Sequence, residues 1–60
     1  MRQIINTTEK GTGKTIYRNP QYITSFFADE ESGTIIRMAD GSTVKVEESP
    51  VIIACRILEH

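Results

Sequence analysis

The chain has 60 residues, which is enough for one domain and near the lower size limit for independent folding. A domain of this size buries only about 60% of the surface that its unfolded chain exposes. Its single cysteine, Cys55, excludes an intrachain disulfide and predicts a reducing, cytoplasmic environment, and no apolar run approaches the roughly 20 residues of a membrane span. The net charge of −1 combines +3 on residues 1–28, from four basic and one acidic residue, with −4 on residues 29–60, from three basic and seven acidic residues.

The N-terminal third of the sequence predicts a β-hairpin. Residues 2–8 are a strand candidate rich in β-branched residues, residues 9–14 form a glycine- and lysine-rich loop, and residues 15–18 return as a second strand. The loop spells Gly-Thr-Gly-Lys-Thr, the end of a phosphate-binding P-loop. However, Thr8 stands where that motif requires its first glycine, and Pro20 leaves no room for the helix that must follow. A hairpin loop without nucleotide chemistry is the preferred interpretation.

Proline interrupts the chain after this hairpin. Asn19-Pro20 ends the second strand, because proline lacks the amide donor of a sheet ladder. Residues 22–28 resume as a third strand, and its Phe26 and Phe27 are expected at the aromatic centre of the core. The acidic segment over 29–33 then forms a polar loop. It lacks the spaced oxygen ligands of a calcium loop, and no metal site is expected.

Residues 34–47 predict a second β-hairpin. Its arms are joined by Asp40-Gly41, which suits a two-residue type I′ turn because both central residues then need φ > 0. Val44 and Val46 alternate with polar residues, the period-2 pattern of a half-buried strand.

Residues 50–57 predict a short C-terminal helix. Ser49 suits the N-cap position and Pro50 the first helical position, and the two glutamates just before them favour the positive end of the helix dipole. The β-branched run over 51–53 is instead typical of a strand, and we prefer the helix. The ending Leu-Glu-His, residues 58–60, is interpreted as the start of a vector-encoded tag, which removes the only histidine as a catalytic candidate.

This helix would be apolar over more than one face. Seven of the eight residues from Val51 to Leu58 are apolar, whereas a helix packed on one sheet needs only an apolar stripe. The surplus face predicts self-association into a homo-oligomer or a docked protein partner; the alternative is a short helix that simply leaves isoleucine exposed. The residues expected in this interface are Val51, Ile53, Ala54 and Ile57.

Nucleic-acid binding through the basic N-terminal half is the alternative function. The residues that could line one edge are Arg2, Lys10, Lys14 and Arg18, with Tyr17 and Tyr22 as stacking surfaces. The slightly acidic chain argues against this function, because nucleic-acid-binding domains are usually clearly basic.

No catalytic residues and no cofactor are predicted. Cys55 has no histidine partner in the native chain to activate it as a nucleophile. It also lies within an apolar run, which is typical of a buried, inert thiol. We therefore do not expect an enzyme.

Taken together, these elements predict a mainly β domain over residues 1–57. Its expected architecture is a small antiparallel sheet, or a partly open barrel, of four or five strands with a short C-terminal helix. Such a domain would act by binding protein, through its apolar C-terminal segment and an exposed sheet edge.

From Lys14 onward the sequence resembles the small FlbD/SwrD-type proteins of bacterial flagellar operons. The features that are similar are Gly13, Tyr17, the Asn-Pro-x-x-Ile segment that ends at Ile23, the Asp40-Gly41 turn, and a Val-x-Glu-Ser step from Val46 to Ser49. The glycine-rich loop over 10–14 replaces the compact Leu-Asn-Gly turn of that family, and Pro50 is a further difference. The resemblance implies a motility-related protein without enzymatic activity. The layout is also similar to that of the LytTR-type DNA-binding domain, which is longer and whose basic contact loops have no clear counterparts here.

Overall fold

The computed structural model describes residues 4–58, which form five β-strands followed by one α-helix. The strands are β1 (Ile5–Thr8), β2 (Thr15–Arg18), β3 (Ile23–Ala28), β4 (Thr34–Met38) and β5 (Thr43–Val46), and the helix is α1 (Pro50–Leu58). A single 3-10 turn, Pro20–Tyr22, connects β2 to β3. The prediction of a mainly β fold with a short C-terminal helix is confirmed. The first residues of the predicted N-terminal strand, and residues 59–60, lie outside the described residues.

The strands form two antiparallel sheets that meet at one point. β1 pairs with β2, and β3, β4 and β5 pair in sequence order. A β-bridge between Glu9 and Val46, with a backbone hydrogen bond on either side, joins the end of β1 to the end of β5. The spatial order is therefore β2-β1-β5-β4-β3, and the sheets do not close into a barrel. Within the described residues, β2 and β3 are the outer strands.

The core is small and lies between α1 and the three-stranded sheet. Ile36, Val46 and Ile53 are fully buried, one each from β4, β5 and α1. Around them pack the partly buried side chains of Ile23, Phe26, Met38, Val44 and Ile57. Since fully burying an isoleucine side chain contributes about 1.5–3 kcal/mol, these few residues supply much of the stability of so short a chain.

The two phenylalanines of β3 have different environments. Phe26 packs against the core, whereas Phe27 lies on the opposite face of the sheet and is 45% exposed. Successive residues of a strand point to opposite faces, so only one of two neighbours can face α1. The expectation that both form the centre of the core is wrong for Phe27.

The hairpin at Asp40-Gly41 is confirmed, but its turn differs from the predicted one. Met38 N donates to Ser42 O at 2.8 Å and Gly41 N donates to Met38 O at 3.0 Å, which encloses a three-residue loop. Gly41 has φ of 93°, while Asp40 has a negative φ. This is a type I turn followed by a left-handed glycine, rather than type I′. The Asp40 carboxylate accepts hydrogen bonds from the Ser42 amide and hydroxyl, at 2.9 and 2.7 Å, which favours this turn.

The start of α1 follows the predicted signals. The Ser49 hydroxyl accepts a hydrogen bond from Ile52 N at 3.4 Å, and the Ser49 carbonyl accepts one from Ile53 N at 3.1 Å. Pro50 occupies the first helical position, where its missing amide costs nothing. The segment is a helix, and the alternative of a strand is wrong.

Candidate functional site

α1 exposes an apolar surface to solvent. Its exposed side chains are Val51, Ile52, Cys55 and Leu58, and we define these four residues as the outer face. Val51 and Leu58 are 71% and 74% exposed, and Ile52 is 42% exposed. The spacing of i, i+1, i+4 and i+7 places all four on one side of the helix. The solvent side of a surface helix normally carries polar and charged residues, and here it carries none.

The structure separates the four predicted interface residues. Val51 belongs to the outer face, and Ala54 is half-buried beside it. Ile57 packs against the core, and Ile53 is 0% exposed within it. The assignment of Ile53 to an interface is therefore wrong, because its side chain is covered by the chain's own sheet. A run of apolar residues without a break has no periodicity that would show which side of the helix faces the sheet.

Three residues of the outer face were not predicted as interface residues. These are Ile52, Cys55 and Leu58. Cys55 was expected to be buried and is exposed, which corrects that interpretation. The one signal in the sequence, the charge of Arg56, does not mark the solvent side, since this side chain reaches along the flank of the helix to Glu48 and to the Asn6 carbonyl.

Glu48 holds α1 in this orientation. Its carboxylate accepts hydrogen bonds from the amide and hydroxyl of Thr8, at 2.9 and 2.8 Å, and from Arg56 Nη1 at 3.0 Å. Its backbone carbonyl accepts a hydrogen bond from the Thr34 hydroxyl at 2.6 Å. The side chain of Glu48 is only 10% exposed, and this burial acts to raise its pKa. The hydrogen bonds from Thr8 and Arg56 outweigh that effect, so the pKa of Glu48 lies below its ordinary value.

These contacts connect the start of α1 to β1, to β4 and to its own last turn. Those made by the Glu48 carboxylate are charge-assisted and partly buried, which makes them stronger than ordinary surface hydrogen bonds. The helix is therefore fixed relative to both sheets, and the outer face is a preformed surface.

Lys10, one of the predicted nucleic-acid contacts, is bound within the chain. Its Nζ donates to Asp29 Oδ2 at 3.2 Å and to the Ser32 carbonyl at 2.9 Å, and it lies 3.7 Å from Glu31. The Glu31 amide and the Lys10 ammonium lower the pKa of Asp29 below its ordinary value. Lys10 thus connects the β1–β2 loop to the β3–β4 loop, and its positive charge is already paired with carboxylates of the same chain.

The other predicted nucleic-acid contacts do not form a continuous basic surface among the described residues. Arg18 is half-buried, and its Nε donates to the Thr7 hydroxyl at 3.0 Å. Lys14 is exposed, whereas Arg2 lies outside the described residues. Tyr17 is exposed, as a stacking surface requires. Of the predicted cations that lie within residues 4–58, Lys14 is the exposed one.

The loop that resembles a P-loop lacks the structure that phosphate binding requires. Lys14 is followed by the strand β2, whereas a P-loop lysine opens a helix. Within residues 4–58, no group of three or more His, Cys, Asp or Glu side chains could hold a metal ion. In that same range, no helix has the length and apolar character needed to cross a membrane.

Comparison with known protein families found no match for this chain, and neither did comparison with curated proteins or with solved structures. The similarity to the FlbD/SwrD-type proteins therefore stays a prediction.

Proposed function

We propose that this chain is a non-enzymatic protein-interaction module, which binds an apolar surface of a partner protein through the outer face of α1. The observation that supports this proposal is that every exposed side chain of α1 is apolar. Single exposed apolar residues are common on protein surfaces, but a contiguous set on one helix face is typical of a binding surface.

The chemistry of the outer face defines the partner's contact surface. Val51, Ile52 and Leu58 offer only aliphatic groups, and Cys55 adds a thiol. Among residues 4–58, the charged residues closest in sequence to the outer face are Glu48 and Arg56, and these two bind each other. A matching surface is therefore an apolar groove or helix face, and burying aliphatic area there would stabilise the complex by about 25 cal/mol per Å².

The rigidity of α1 also favours binding. The hydrogen bonds of Glu48 hold the helix in place before any contact is made. The entropy lost on binding is smaller when the binding surface is already ordered, so that even a short face can bind usefully.

Affinity capture with outer-face variants tests the proposal. The double variant Val51→Glu, Leu58→Glu places two charges at positions of the face that are more than 70% exposed, and Thr15→Glu, at an exposed position of β2, serves as the control. We expect the original chain and Thr15→Glu to capture the same proteins from an extract of the expressing cells. The double variant should retain at least about tenfold less of these proteins. Circular dichroism would verify that all three chains are folded.

Equal capture of the same proteins by all three chains would contradict the proposal. Variants at Ile53 or Ile57 cannot replace the double variant in this test. Both side chains belong to the core, so a glutamate there would disrupt the fold, and any loss of binding would have no clear cause.

A further inference from the structure

β3 is an outer strand that lacks most of the usual protection of a sheet edge. It spans six residues, Ile-Thr-Ser-Phe-Phe-Ala, and none of them is charged or proline. Natural edge strands are commonly short, charged or interrupted by proline, because their open hydrogen-bonding groups attract other strands. The other outer strand, β2, has four residues, ends at Arg18 and is followed by Asn19-Pro20. The irregularity of β3 is confined to a register shift between Ile23 and Ser25.

The register of the sheet shows which backbone groups of β3 point outward. Asp29 N donates to Gly33 O at 3.1 Å, on the same ladder that pairs Phe27 with Ile35 and Ser25 with Arg37. In an antiparallel ladder, alternate residues direct both backbone groups to the neighbouring strand. Ser25 and Phe27 therefore bond to β4, whereas the N–H and C=O groups of Phe26 and Ala28 point away from the sheet.

We infer that two copies of this chain form a two-fold symmetric dimer in which β3 pairs antiparallel with β3 of the second copy. The register that satisfies the outward groups places Phe26 of each copy opposite Ala28 of the other. Each such pair exchanges two N–H···O hydrogen bonds, so that four bonds join the copies. The two three-stranded sheets then become one sheet of six strands.

This register also brings together the exposed aromatic side chains. Phe27 of one copy lies opposite Phe27 of the other on the two-fold axis, at a non-hydrogen-bonded position where facing side chains are closest. Phe27 is exposed on the face of the sheet that is opposite the core. A shallow concavity of about 480 Å³ lies beside it, with an apolar part formed by Phe27, Ala28 and Ile35 and a charged rim of Asp29, Glu30, Glu31 and Lys45. The second copy's phenylalanine would cover the apolar part.

Charge complementarity favours a second copy over other strands. In the proposed register, Asp29 of one copy lies opposite Ser25 of the other, which itself pairs with Arg37. The exposed Glu30 of the turn therefore comes within reach of the second copy's exposed Arg37, once at each end of the interface. Among residues 4–58, neither Arg37 nor Glu30 takes part in an ion pair within its own chain.

The size of the contact sets its expected strength. One strand pair is expected to bury less than the roughly 800 Å² per partner of a standard interface, so we expect a dissociation constant on the order of tens to hundreds of micromolar. No residue of the outer face of α1 takes part, and this inference does not depend on the function proposed above.

Sedimentation equilibrium between about 10 μM and about 1 mM chain tests the inference. Phe27→Lys adds a charge to the edge, and Ala28→Pro removes an outward amide that β4 does not use. We expect each variant to weaken dimerisation at least about tenfold, with Thr15→Lys on β2 as the unchanged control. Arg37→Glu should also weaken the dimer, and Arg37→Glu with Glu30→Arg should restore it, which tests the register.

Three results would overturn the inference. The first is an original chain that remains monomeric throughout this range, and the second is a dimer that persists in both Phe27→Lys and Ala28→Pro. The third is dissociation by Val51→Glu with Leu58→Glu, which would place the contact on α1 instead. Because the outer-face double variant is measured in both experiments, failure of this inference and failure of the proposed function can be distinguished.

Discussion

Ile52 and Ile53 are identical neighbours on α1 with opposite surroundings. Ile53 is fully buried against β4 and β5, whereas Ile52 is 42% exposed on the outer face. The inner side of the helix completes the core, while the outer side is exposed to solvent. The two sides have the same apolar composition, and only burial in the folded chain distinguishes them.

The largest expected difference between the two sides is in stability. Ile53→Ala should lower the free energy of unfolding by about 2–5 kcal/mol, since it removes buried methyl groups and leaves a cavity. Ile52→Ala should cost about 1 kcal/mol or less. Urea denaturation would measure both values. If Ile53→Ala does not fold, Ile53→Val should still cost about 0.5–1.5 kcal/mol, and equal effects at the two positions would refute the assignment of sides.

Glu48 holds α1 in its orientation, and its substitution is expected to have the next largest effect on stability. Glu48→Gln keeps the shape of the side chain but removes the charge that binds Thr8 and Arg56, so we expect a loss of about 1–3 kcal/mol in unfolding free energy. Glu47→Gln, at the neighbouring exposed position, is the matched control and should stay within about 0.5 kcal/mol of the original chain. The same urea titration measures both variants.

The pH dependence of stability checks the same group. The pKa of Glu48 in the folded chain lies below its ordinary value of 4.5, so its charged form stabilises the fold above that pH. This contribution should be lost as the pH falls through the folded pKa, and Asp29 and Asp40 act in the same direction below 3.8. Glu48→Gln should therefore flatten the acid side of the stability curve, and a curve that stays equally steep would count against the proposed role of Glu48.

A smaller effect is expected at Lys10, which lies far from α1 in sequence. Lys10→Ala should reduce stability by about 0.2–1 kcal/mol, because its ion pairs are near the surface, without changing oligonucleotide binding. Lys14→Ala, at an exposed loop position, is the control. Amide shifts on Lys10, Lys14 and Arg18 that appear with DNA and fade with salt would contradict this expectation and favour the nucleic-acid function instead.

Local patterns explain most of what could be predicted from the sequence. The hairpin position at Asp40-Gly41 and the helix start at Ser49-Pro50 depend on neighbouring residues, and both are present, although the turn is not the predicted type I′. The alternation of Val44 and Val46 with polar residues likewise placed them on the core face of β5. These features involve dihedral preferences and caps, which a few adjacent residues determine.

The features that were missed depend on distant contacts. Lys10 binds Asp29, 19 positions away, and nothing adjacent to either residue indicates that pairing. Which side of α1 faces the sheet depends on the contact between Glu48 and Thr8, 40 positions apart. The helix itself has no polar stripe from which its orientation could be predicted. Phe26 and Phe27 are equivalent in composition, and only the register with β4 decides which one enters the core.

The rate at which iodoacetamide alkylates Cys55 tests the central claim most directly. This thiol lies within the outer face, and the chain contains no other cysteine. We expect the folded chain alone to react nearly as fast as the chain unfolded in urea, and a chain bound to its captured partner to react at least about tenfold more slowly. A folded chain that is already protected, or a complex that leaves the rate unchanged, would show that the outer face is not the surface that binds.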